Sequence, residues 1–147
     1  MGSLPIRIRP MLATDYAAVR AMWDAAGLGI RPQGRDTEPA IRSQLQHFPD
    51  TYLVAECDGR IVGALLGTHD QRKGWINRLA VHPEYQRRGV ARLLLAACEQ
   101  ALHAHGIEII AALVEGDNEA SAAFFRAAGY ELYGPVHYFR KQARPDI

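Results

Sequence analysis

Two cysteines are too few for a disulfide framework, so Cys57 and Cys98 read as buried free thiols in a reducing, cytoplasmic setting. Long apolar runs are missing as well. None approaches the roughly 18–20 residues that cross a bilayer, so no membrane partner is expected. The opening Met1-Gly2-Ser3-Leu4-Pro5 lacks the basic patch and apolar stretch of a secretion signal. Charge of one sign is also lacking: 17 Lys and Arg face 16 Asp and Glu, so any electrostatics that matter are local. With no basic stripe interleaved with aromatics, nucleic acid is not an expected partner. His103 and His105 stand apart from any Cys/His/Asp cluster with ligand spacing, so no metal is expected.

What is present is an ordinary globular profile, 48% apolar, which over 147 residues suits one domain spanning 1–147. Ile6-Arg7-Ile8-Arg9 alternates as a short first strand. Thr14 or Asp15 caps a helix with Val19, Met22 and Trp23 on one face, ended by Gly27. Asp36 or Thr37 starts a second helix that buries Ile41, Leu45 and Phe48. Tyr52–Glu56 and Ile61–Thr68 are strands joined by an Asp58-Gly59 hairpin turn. A strand at Trp75–Val81 and a helix from Gly89 to about His105 follow. Ile107–Val114 reads as a fully buried strand, and Asn118–Ala128 as a further helix. Tyr130–Tyr133 and Val136–Lys141 read as two last strands. The fold class is α/β, a mixed sheet with helices on both faces.

The most informative stretch is Gln86-Arg87-Arg88-Gly89-Val90-Ala91-Arg92, between a strand and a long helix. A helix mouth leaves backbone N–H groups uncovered at the positive end of the helix dipole, a ready site for an anion. Gly89 lets the backbone come close, Ala91 keeps bulk away, and Arg87 and Arg88 add charge. Such a cradle suits the pyrophosphate of coenzyme A.

Two segments, Ile76–Arg92 and Asn118–Tyr130 (Asn-Glu-Ala-Ser-Ala-Ala-Phe-Phe-Arg-Ala-Ala-Gly-Tyr), closely resemble the GNAT superfamily of acyl-CoA-dependent N-acyltransferases, its small bacterial members in particular. The resemblance covers about Tyr52 to Lys141 well, and the first 50 residues in element order only. It implies a mostly antiparallel central sheet with a V-shaped splay between two strands. It implies an acetyl-CoA-dependent N-acetyltransferase acting on a small-molecule or peptide amine by direct attack in a ternary complex, and a homodimer is a common assembly among relatives. The edge Leu79-Ala80-Val81 would pair with pantetheine, and the N–H near Val81 would face the oxyanion. Amides of Arg87, Arg88, Gly89, Val90, Ala91 and Arg92 would hold the pyrophosphate. Asn118 would meet the cofactor arm, with helix N-cap as its plainer role.

The chain departs from the family pattern where acid–base chemistry belongs. Seven residues after Asn118, where many members have tyrosine, stands Phe125, left to line the cofactor side. Leu113 replaces the usual glutamate of the neighbouring strand, and Asn77 replaces the one that some members carry on the central strand. Candidate bases are Glu115 and Asp117, directly or through a water held by Asn77, with His137 and Tyr138 on the last strand as further options. Tyr138 or Tyr133 could serve as acid. Substrate selection in this superfamily lies largely with the loop between the first two helices, where Arg31 or Arg35 could clamp a carboxylate. A module that holds acyl-CoA without turnover is the alternative, favoured by Phe125 and Leu113.

Overall fold

Strand-forming runs build one sheet in sequence order: β1 (Arg7–Pro10), β2 (Tyr52–Cys57), β3 (Arg60–His69), β4 (Lys73–Val81) and β5 (Ile109–Ala112). The computed structural model describes residues 5–30 and 33–147. The first four strands pair antiparallel, while β5 lies parallel to β4 because a helix carries the chain back across the sheet. Asp58 and Gly59 take φ of 52° and 75°, the two left-handed residues that a tight hairpin needs.

Helices α1 (Tyr16–Ala25) and α2 (Glu38–His47) cover one face; α3 (Val90–Ala104) and α4 (Glu119–Ala127) cover the other. α2 starts as its sequence implies, with the Thr37 side chain accepting from Ala40 N at 3.4 Å. α1 does not. A 3-10 turn at Ala13–Asp15 leads into it, and Asp15 spends its carboxylate on Leu12 N and on two bonds to Arg9, at 2.8 and 3.0 Å.

The seat of α3 decides the geometry of everything downstream. Val90, Leu94, Cys98 and Leu102 recur every four residues and form one buried stripe. Beneath the stripe the sheet presents Gly63, Gly67 and Gly74. A Cβ at Gly67 would lie 2.4 Å from Cys98 Sγ, and one at Gly74 2.8 Å from Leu102 Cδ1. The missing side chains let the helix settle onto the strands at close range. Burial there pushes the Cys98 thiol up to about 12, so it stays neutral.

Two sequence expectations fail at the far end of the sheet. Ile107–Val114 is not a fully buried strand: only Ile109–Ala112 pairs, as an edge, with Ile109 57% and Leu113 64% exposed. An apolar run alone does not distinguish a central strand from an edge strand. Tyr130–Tyr133 and Val136–Lys141 are not strands either. They run without ladder pairing, and Leu132, Tyr133, Val136, Tyr138 and Phe139 are exposed. β-propensity stabilises a strand only through cross-strand neighbours, which these residues lack among the described ones.

Gly67→Ala is expected to lower stability by about 1–3 kcal/mol, read as a lower urea midpoint, because neither Cys98 nor the Thr51 backbone can withdraw freely. Gly116→Ala, whose added carbon meets nothing within 4 Å, is the control and should stay within about 0.5 kcal/mol of the parent.

Candidate functional site

The site begins with a fault in β4. Leu66 pairs with Asn77 and Ala64 with Ala80, so Leu65 alone faces both Arg78 and Leu79. This is a β-bulge, and Arg78 takes φ of 53° to make it. Pairing between β4 and β5 stops at Ile76 and Ala112, although β4 continues to Val81. The two parallel strands therefore part just where the bulge bends β4. His82 N donates to Val62 O on β3 at 2.7 Å, so strand alternation turns the Val81 backbone to the side that β5 has left. Val81 O accepts from the Gln86 side chain at 3.2 Å. Leu79 packs toward the α3 face and Ala80 toward the α1 face, with Ala80 paired to Ala64 on β3.

After β4, a 3-10 turn at Pro83–Tyr85 leads to Gln86–Gly89 and then α3. Arg87 and Gly89 have φ of 64° and 79°, left-handed values that aim successive N–H groups outward. No side chain caps α3, and no N–H from Arg87 to Arg92 has an acceptor among the described residues. Arg88 lies over the Tyr85 ring at 5.1 Å and Arg60 at 5.7 Å, so the tyrosine props up the basic turn. The Arg92 guanidinium points elsewhere, donating to Ala127 O at 3.1 Å and tying α3 to the end of α4. Ala91 is half-buried and Val90 is buried.

α4 opens at the same end of the sheet, since it follows β5 as α3 follows β4. Asn118 is its N-cap, accepting from Ser121 N at 3.1 Å. The capping role is thus met by Oδ1, which leaves the Nδ2 group for another partner. Phe125 packs between Phe124 and Tyr130, each ring centroid 5.2 Å away. Tyr130 donates its hydroxyl to Glu99 at 2.7 Å. Burial, then that bond, raise its pKa, so the phenol stays protonated.

The acid–base candidates are less gathered. Asn77 donates through Nδ2 to Leu66 O and Thr68 Oγ1, both at 3.1 Å, which leaves its Oδ1 as a free acceptor. Glu115 and Asp117 lie exposed in the turn before α4, where Glu115 O accepts from Asn118 N. Tyr133, His137 and Tyr138 are exposed on the unpaired C-terminal stretch, not on a strand beside the gap. Arg35 is exposed in the loop between α1 and α2. Arg31 lies outside the described residues.

Sequence reasoning missed the residue that holds this loop. Arg78, at the bulge, bonds the buried Asp36 carboxylate and also donates to Gly29 O at 2.6 Å. Its guanidinium lies 5.3 Å from the Trp23 ring, whose buried indole N–H has no acceptor among the described residues. One cation thus pins both ends of the 29–36 loop to the strand. The available signal was a lone arginine inside an otherwise strand-like run, Trp75–Val81. Among the described residues no group of three or more His, Cys, Asp or Glu could hold a metal ion, and no helix is long and apolar enough to cross a membrane.

Comparison with known proteins agrees with this geometry. The profile of the acetyltransferase (GNAT) family matches residues 16–130. An acetyltransferase from Sodalis glossinidius is 35% identical over 141 residues, covering 96% of this chain and 98% of that protein. One from Pectobacterium atrosepticum is 36% identical over 126 residues, covering 86% and 88%. Among solved structures, the PaiA N-acetyltransferase from Thermoplasma acidophilum in complex with coenzyme A superposes with a TM-score of 0.76 at 19% identity, covering 90% and 94%. An aminoglycoside acetyltransferase from an uncultured soil metagenomic sample superposes at 0.77 with 17% identity, covering 95% and 97%. At those identities the structures show a shared fold, and the sequence matches carry the assignment. A bulged strand parted from its parallel neighbour, an uncapped helix mouth behind it and these matches make the chain a member of the GNAT family of acetyltransferases.

Proposed function

We propose that this protein, one domain across 1–147, moves an acetyl group from acetyl-CoA to a primary amine by direct attack in a ternary complex in the cytoplasm. The observation that carries the reading is the run of acceptor-less N–H groups from Arg87 to Arg92 beside a strand edge that its neighbour has left. Those amides hold the pyrophosphate, with Arg87 and Arg88 adding charge. The Leu79–Val81 backbone takes up pantetheine as an extra strand would, and Val81 N–H faces the oxyanion. Asn118 Nδ2 reaches the cofactor arm, and Phe125 gives it an apolar wall.

The state of the thiols supports direct attack. Cys98 is neutral and sealed, and Cys57 is buried, so neither offers a nucleophile for an acyl-enzyme. A thiol with a pKa near 8.5 leaves tolerably as thiolate, so the lost tyrosine costs roughly a hundredfold. Deprotonating a lysine-like amine is the larger problem, about 4–5 kcal/mol at neutral pH. Glu115 serves as base through solvent, with Asn77 Oδ1 holding the relaying water, and Tyr138 is the acid candidate.

Incubation with acetyl-CoA and a broad panel of amines is expected to release thiol with at least one of them. Calorimetric binding of coenzyme A without any turnover would select the non-catalytic binding module instead. Gly89→Val is expected to weaken coenzyme A binding at least tenfold while circular dichroism stays unchanged. The left-handed backbone there resists a branched side chain, and the added carbons point into the open space of the cradle. Unaltered affinity would refute the cradle.

A further inference from the structure

The proposed reaction leaves the acceptor unnamed, and the charge around the loop of residues 33–35 narrows it. A cavity of about 360 Å³ lies between this loop and the C-terminal stretch, lined by Arg35, Tyr138, Arg140, Lys141 and Arg144. Arg144 closes it by donating to Gln33 O at 3.1 Å. The loop wall is fixed as well, because Gln44 donates to Arg35 O at 2.8 Å and Asp36 is held by Arg78. Arg35 therefore sits one residue from Asp36, which Arg78 of the β4 bulge holds.

No acidic side chain is among its lining residues. Asp36 is committed to Arg78, and Asp146 stands 3.7 Å from Arg144. Arg35, Arg140 and Lys141 have no acidic partner among the described residues. Three unpaired cations and a phenol around one cavity, in a chain of net charge +1, form a local field that attracts anions and repels polyamines. We infer that this cavity binds a carboxylate or phosphate on the acceptor, so the substrate is a small amine carrying an anionic group. This deepens the acetyl-transfer reading and rests on it. A polycationic aminosugar would meet mostly like charge here.

Calorimetry on the coenzyme A-saturated protein tests this with two matched pairs: glutamate against glutaminamide, and O-phosphoethanolamine against ethanolamine. The anionic member of at least one pair is expected to bind at least tenfold more tightly, and the pair that discriminates identifies the group as carboxylate or phosphate. Arg140→Ala/Lys141→Ala should bring that ratio to within about twofold of unity, and Arg140→Lys/Lys141→Arg should restore it. A ratio near one in the parent, no measurable binding of either anionic compound, or a ratio that survives the double alanine change overturns the inference. Turnover is not needed for this readout. Anion-selective binding without thiol release with any amine would sink acetyl transfer and leave the cavity's specificity standing.

Discussion

The close seat of α3 on the sheet is the constraint on which the site depends. A helix normally rides on side chains; here Gly63, Gly67 and Gly74 withdraw theirs, and Val90, Leu94, Cys98 and Leu102 fill the space. The depth of that packing fixes where the first turn of α3 opens relative to the end of β4. If the proposed cradle is right, its amides must be held in place beforehand, since an anchor that shifts on binding would weaken what it binds. The helix mouth is anchored by the buried stripe that runs from Val90 through Leu94 and Cys98 to Leu102.

A second constraint acts from the opposite face. The bulge in β4 serves two ends at once: it bends the strand away from β5, and it throws Arg78 toward the loop between α1 and α2. Breaking a buried ion pair by removing one partner is costly, because the remaining charge stays unsolvated. The Arg78–Asp36 pair thus holds the loop between α1 and α2 against β4, as the buried stripe holds α3 on the other face. The cationic groove beside that loop and the proposed amide cradle thus belong to different layers of the fold.

How much of this was legible depended on the range of the signal. Asp58-Gly59, Thr37 before α2, and Gly89 before α3 are local, and the structure agrees with each within a residue or two. The family motifs are equally local, since each lies within one strand–turn–helix unit. Arg78 and Asp36 are 42 residues apart, and neither residue's neighbours announce the pairing. The alternation does break at Asn77-Arg78 in Ile76–Val81, but a break alone does not tell a bulge from a strand end when the partner strand is not known. β5 was overestimated because Ile107, Ile109 and Ile110 look alike, yet only Ile107 is fully buried. The last stretch carries strand-forming residues such as Tyr133 and Phe139, whose preference goes unrealised without a ladder.

The unpaired stretch after α4 has a consequence of its own. Among the described residues it is moored at Tyr130, through Glu99, and again at Arg144, through Gln33. Neither of the two cores on the sheet's faces includes a residue between those moorings. A protease that nicked this span would strip the groove of Arg140 and Lys141 without disturbing either core. On the proposed role of the groove, choice of substrate and integrity of the scaffold would be carried by separable parts of the chain, and sequence drift in the strap would alter the first without endangering the second.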